Sequence, residues 1–234
     1  MREALYIEVG CRDGLLGLYV RRFAEFLATP QGRRSQERVR ARRGLFRERL
    51  AEERLGNLSP QDLIDLFTSL EGLGPAEGRR LAEALVETYG MDNIRETLKF
   101  LIYADQTVER RFEEALVRFG DMPLEALMEF LTYAAPEDFC IWDEHAKRAM
   151  KMLGQSGLHG LTPRAFSGPI GPLEYVQAVV ALNYVREVLN AYLQRRTDYL
   201  DVHLFCLYTT GALPSPAGEE RPQGLPPPQA RKDH

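Results

Sequence analysis

Three groups of residues in the chain have types and spacings that could do chemistry. The first is Ile141-Trp142-Asp143-Glu144-His145-Ala146-Lys147-Arg148, closed by Leu153-Gly154. Asp143 is a residue type that serves either as a helix N-cap or as an acid–base group. The second is Leu70-Glu71-Gly72-Leu73-Gly74-Pro75-Ala76, followed by Gly78, Leu81, Ala82 and Leu85 on one helical face. Glycines at this spacing let the backbone come close to a ligand, and amides at a helix start favour an anion. Arg79 and Arg80, one turn on, supply positive charge. The third is RRSQERVRARRGLFRERLAEERL, in which Arg33, Arg34, Arg38, Arg40, Arg42, Arg43, Arg47 and Arg49 have only Glu37 and Glu48 among them. It reads as a solvated helix face or as a surface for phosphates.

The elements that must position these groups are helices. Apolar residues recur at helical spacing, as in Leu15, Tyr19, Phe23, Phe26 and again in Leu63, Leu66, Phe67, Leu70. Ser59-Pro60 with Asp62 reads as an N-cap, an N1 proline and an early acid, and Thr162-Pro163 has the same form. Gly56, Gly90, Gly120 and Gly154 each follow a helical run, as C-terminal glycines do. LYIEVG near the start is the one candidate strand. The fold class expected is all-α, arranged as two helical lobes. Residues 1–56 form N-terminal helices with the arginine-rich segment, residues 57–211 the main helical domain, and residues 212–234 a disordered Pro-rich tail too poor in apolar residues to offset ordering.

At 234 residues the chain is long enough for one large domain or two lobes with a shared core. Its three cysteines, Cys11, Cys140 and Cys206, lie far apart in apolar surroundings and form no zinc pattern. No stretch is long enough and apolar enough for a membrane span, and the first residues lack a signal peptide's form, so the expectation is a cytoplasmic protein without membrane contact. The net charge of -4 argues against nucleic-acid binding by the whole surface and confines any DNA contact to a local basic face. No Ser/His/Asp set, phosphate loop or metal-ligand spacing is present in the sequence, so neither a metal nor a cofactor is expected. Trp142 and Tyr133 could stack on a base, but aromatics at helical spacing usually belong to the core. His203, on a strongly apolar segment, reads as a satisfied core histidine, and His159 as an exposed loop residue.

The segment Leu70–Ala76 resembles a helix-hairpin-helix element, in which the glycine turn grips a DNA phosphate without reading sequence. Ala76 stands where that family usually has a basic residue. The segment around Asp143 resembles the helix-hairpin-helix DNA glycosylases, whose pattern is matched in register by Asp143, His145, Arg148, Leu153 and Gly154. The resemblance implies that Asp143 acts at a flipped nucleotide, by stabilising an oxocarbenium-like sugar or activating water, while Trp142, His145 and Arg148 hold its helix. It implies duplex DNA as partner, with Gly72, Gly74, Ala76, Arg79, Arg80, Arg40 and Arg43 as DNA-binding residues. Glu125 occupies the position of the Schiff-base lysine of bifunctional members, so β-lyase chemistry is not implied. The hairpin expected before Asp143 keeps only Gly120, beside Asp121 and Glu125, and an iron–sulfur cluster has no four cysteines to hold it. Residues 57–210 are also similar to uncharacterised bacterial and archaeal helical proteins that share an aromatic-Trp-Asn/Asp element. Two alternatives stand beside the glycosylase: a catalytically silent DNA-binding subunit of a repair or defence complex, and a protein-interaction domain whose arginine-rich helix meets an acidic partner.

Overall fold

The structure is a computed structural model that describes residues 14–120, 122–158, 160–167 and 170–213. The candidate strand LYIEVG, Cys11, Asp121, His159 and the tail beyond Leu213 lie outside the described residues. The described residues form eleven α-helices and no strand. In order these are α1 (Gly14–Leu27), α2 (Pro30–Arg49), α3 (Glu52–Leu55), α4 (Pro60–Thr68), α5 (Pro75–Tyr89) and α6 (Met91–Tyr103). They continue with α7 (Val108–Arg118), α8 (Leu124–Ala134), α9 (Glu144–Met152), α10 (Pro172–Leu193) and α11 (Tyr199–Thr209). The all-α expectation holds. No described helix is long and apolar enough to cross a membrane.

Local chemistry sets most of the helix starts. Ser59 and Asp62 form a reciprocal capping box that opens α4 behind Pro60. Thr29 caps α2 through the Gly32 amide, and Asp198 opens α11 in a box with Asp201. Thr162-Pro163 starts only a single 3₁₀ turn, Pro163–Phe166. The Ser167-Gly168-Pro169 sequence that follows at once offers no run of helix formers to propagate it.

The core explains the position of the site. Every residue of α8 from Ala126 to Tyr133 is buried, Glu129 included, so this helix is surrounded. Its Phe130 meets Phe46 of α2 and Phe67 of α4, with ring centroids 5.3 and 5.1 Å apart. Phe23 of α1 packs edge-on against Phe205 of α11 at 5.3 Å. The buried apolar residues form one cluster running from Leu16 to Cys206, so α1 and α2 share a core with the helices after residue 56. Cys140 and Cys206 are free and buried. Burial pushes the Cys140 thiol up to about 12, the value of an unreactive thiol.

Candidate functional site

Asp143 caps the start of α9 with extended backbone, and its Oδ1 accepts from the Ala146 amide at 2.8 Å. Its other oxygen, Oδ2, lies 3.0 Å from Nε2 of His203 on α11. Burial pushes the Asp143 carboxyl up, but the hydrogen bond and charge of His203, the Ala146 amide and His145 outweigh it and hold the group below its ordinary value. The result is an ionised carboxylate, oriented on both oxygens, with 18 % of the side chain still exposed. His145 reaches Thr210, just past α11, through Nδ1 at 3.3 Å. Both histidines therefore tie α9 to α11.

A second carboxylate belongs to the same cleft. Glu129, in the middle of α8, accepts from the backbone amides of Glu71 and Gly72 at 2.8 and 2.9 Å. Arg42 of α2 stands 3.7 Å away, donates to the Tyr133 hydroxyl at 2.9 Å and pairs with Glu71 at 2.9 Å. Burial raises the Glu129 carboxyl against the opposing pull of the two amides and Arg42. Burial likewise pushes the Tyr133 hydroxyl up to about 12. Asp143 and Glu129 thus face one cleft with pKa values moved in opposite directions.

The cleft, about 450 Å³, runs between α2, α8, the start of α9 and α11. Ile141, Leu200, Leu204 and Leu207 give it apolar walls, and Ser35 and Arg38 of α2 line one side. The Ser35 hydroxyl is buried and has no hydrogen-bond partner among the described residues. Among the described residues no group of His, Cys, Asp and Glu could hold a metal ion.

Helix α2, which lines one side of the cleft through Ser35, Arg38 and Val39, also carries a basic face. Residues 14–49 carry ten arginines against three glutamates, a net +7 in a chain of net -4. Among the described residues, Arg42, Arg43 and Arg49 are ion-paired, and the other seven carry no ion pair. Arg33, Arg40 and Arg47 are exposed and recur every seven residues, so they form a stripe along α2 with a rise of about 10 Å between neighbours.

The sequence-derived DNA contacts separate in the structure. Gly74 has φ +73° and caps α5, as the turn requires, and Ala76 is exposed on the first turn of α5. The Gly72 amide, however, is already bound by Glu129. Arg80 pairs with Glu77 at 2.5 Å and Arg79 lies 3.7 Å from Glu83, so neither is an unpaired cation. Arg43 holds the buried carboxylate of Asp198 at 2.6 Å and fastens α2 to the start of α11. Arg40 is exposed and donates to Gln36 at 3.4 Å, with no ion pair among the described residues. Trp142 is a core residue, 1 % exposed, donating to the Ala165 carbonyl at 2.8 Å. Arg148 is exposed and has no ion pair among the described residues. Glu125 is exposed on the cleft rim and Gly120 follows α7.

His203, Glu129 and Ser35 complete the site, and sequence reasoning does not mark them as functional. His203 and Glu129 do carry a signal: each is a lone ionisable group in an otherwise apolar stretch of helix, where burial demands a partner. Set beside known proteins, the chain matches no family model, no curated protein and no solved structure.

Proposed function

We propose that the protein binds duplex DNA along the arginine face of α1 and α2, takes one nucleotide into the cleft and hydrolyses its N-glycosidic bond as a monofunctional DNA glycosylase. The observation that carries this is Asp143: a carboxylate held ionised by His203 and a helix amide, open to a cleft of base-accommodating size that Arg38 of α2 lines on one side. An anion fixed in that way stabilises the positive charge that develops on the sugar as the base leaves, or orients the attacking water. His203 is the positioning residue that fixes the carboxylate. Glu125, where a lysine would be needed, supports simple hydrolysis without a Schiff base.

A panel of duplexes carrying single damaged or modified bases, treated with alkali after incubation, tests the proposal. Strand scission at one class of base is expected from the wild type, and Asp143→Asn should lose it while keeping DNA affinity, since asparagine still caps a helix. A wild type that binds DNA and makes no abasic site on any duplex overturns the enzymatic part. One observation favours a catalytically silent DNA-binding module in its place. Both oxygens of Asp143 and both of Glu129 already have partners within the chain, which is what structural fasteners look like.

A further inference from the structure

We infer that the junction of α2 with the start of α11 holds one phosphate group, which on the DNA-binding reading proposed above belongs to the DNA backbone. Three arginines line a small pocket there: Arg40 and Arg43 of α2, and Arg195 of the turn between α10 and α11. Asp198, Asp201 and Gln36 line it with them, so one positive charge is left over. The pocket measures about 80 Å³, against about 450 Å³ for the cleft. At the space one water needs, it has room for about six water-sized groups, the scale of a single tetrahedral oxyanion.

Two of the three guanidiniums are fixed before any ligand arrives. Gln194 ends α10 in the left-handed conformation, and Arg195 follows it to grip both oxygens of Asp201 at 2.7 and 2.9 Å. Arg43 holds Asp198 at 2.6 Å. The two acids are themselves joined in the capping box that opens α11, so a ligand loses little affinity to ordering these side chains. A guanidinium has five N–H donors, and none of the three arginines uses more than three of them within the chain. Spare donors on positioned guanidiniums, with positive charge in excess, are what phosphate oxygens take up. A second observation sets the source of the phosphate. Arg40 is the middle member of the exposed stripe Arg33, Arg40 and Arg47 and has no ion pair among the described residues. The pocket is thus continuous with the face assigned to the duplex, and Arg195 extends that face beyond α2.

Two measurements on the full chain test the inference. In the first, inorganic phosphate is titrated in at constant ionic strength while the arginine Nε–Hε signals are followed by NMR. Saturable shifts at Arg40 and Arg195 are expected, with Arg33 and Arg47 unmoved. Arg195→Lys keeps the charge and loses the planar fork, and should weaken phosphate about fivefold. Shifts that do not saturate, or that are as large at Arg33 and Arg47, overturn the site. In the second, duplex affinity is measured against salt for Arg40→Gln, Arg195→Gln and the pair. Each single change should weaken binding, and the pair should flatten the slope of log affinity against log salt by about 0.9, the value for one shared phosphate. Flattening by about 1.8, or unchanged affinity in Arg195→Gln, overturns the shared backbone contact. Arg40 is exposed and unpaired, so Arg40→Gln keeps the fold and reads the site even where Asp201 suffers without Arg195. If the wild type binds no duplex, the DNA-binding proposal fails and the phosphate titration still decides the pocket.

Discussion

On α5, Arg79 and Arg80 pair with Glu83 and Glu77 of the same helix, and the hairpin amides before them are held by Glu129. On α2, Arg33, Arg40 and Arg47 stand on one exposed stripe with no ion pair among the described residues. Both elements offer arginines in sequence, yet only α2 presents them unpaired among the described residues. An arginine already paired must give up its partner before it meets a phosphate, whereas an unpaired one exchanges weakly held water and counterions, which is the source of salt-dependent affinity for DNA. At the hairpin, Glu129 occupies the position that a bound anion would take. The glycine turn is a docked structural unit, and α2 is the surface that presents unpaired arginines among the described residues.

Removing the α2 stripe should have the largest effect. Replacing Arg33, Arg40 and Arg47 together with Gln should cut duplex affinity at least about a hundredfold at low salt. It should also flatten the slope of log affinity against log salt by about 2.7, at roughly 0.9 per phosphate neutralised. Fluorescence anisotropy at several salt concentrations measures both, with circular dichroism confirming the fold. All three side chains are exposed, so the fold should persist. An unchanged slope would remove α2 from the DNA interface and end the contrast with α5.

Next comes the fastening of the hairpin. Glu129→Ala leaves two part-buried backbone amides without their acceptor and Arg42 with Glu71 as its remaining carboxylate, and should cost about 3 kcal/mol of stability. Urea unfolding measures it. A change below about 0.5 kcal/mol would mean that the hairpin is not held by Glu129 and that its amides are free for a ligand.

The pH dependence of stability sharpens the difference between the two carboxylates of the cleft. Asp143 has its folded pKa held below the ordinary 3.8, so its stabilisation is present above that value and is lost as pH falls through the folded pKa. Glu129 has its folded pKa raised above the ordinary 4.5, so its contribution is complete below that value and is lost as pH rises through the folded pKa. Asp143→Asn should therefore flatten the acid limb of the stability profile, and Glu129→Gln the limb above the ordinary carboxylate value. Urea midpoints from about pH 3 to pH 8 measure both. Variants that flatten the opposite limbs would reverse the two assignments.

What the sequence reveals and what it hides follow the same division. Caps made by residues three apart, such as Ser59 with Asp62 and Asp143 with the Ala146 amide, are local and legible from order alone. The positive φ of Gly74 is legible for the same reason. Glu129 with Gly72, Arg43 with Asp198 and Asp143 with His203 join residues far apart in the chain, and only the packing of α8 and α11 brings them together. The Asp143 position is thus readable while its partner is not. The hairpin sequence is readable while the acid that fills it is hidden in another helix.

The smallest effect belongs to the residues that sequence favours for phosphate binding. Arg79→Ala with Arg80→Ala removes two cations whose charge is already matched by Glu83 and Glu77. DNA affinity should change less than about twofold, and the salt slope by much less than the roughly 0.9 expected for each phosphate that an arginine neutralises. The reverse experiment is more telling. Glu77→Gln with Glu83→Gln frees both arginines and removes two negative charges from the α5 surface, so affinity should rise and the slope should steepen. Both acids are partly or largely exposed and lie on one helix with their partners, so the fold should be kept, and the thermal midpoint reports it. If the arginine pair lowers affinity as strongly as the α2 triple while the acid pair changes nothing, these ion pairs open on DNA binding. The hairpin would then join α2 as a phosphate-gripping surface.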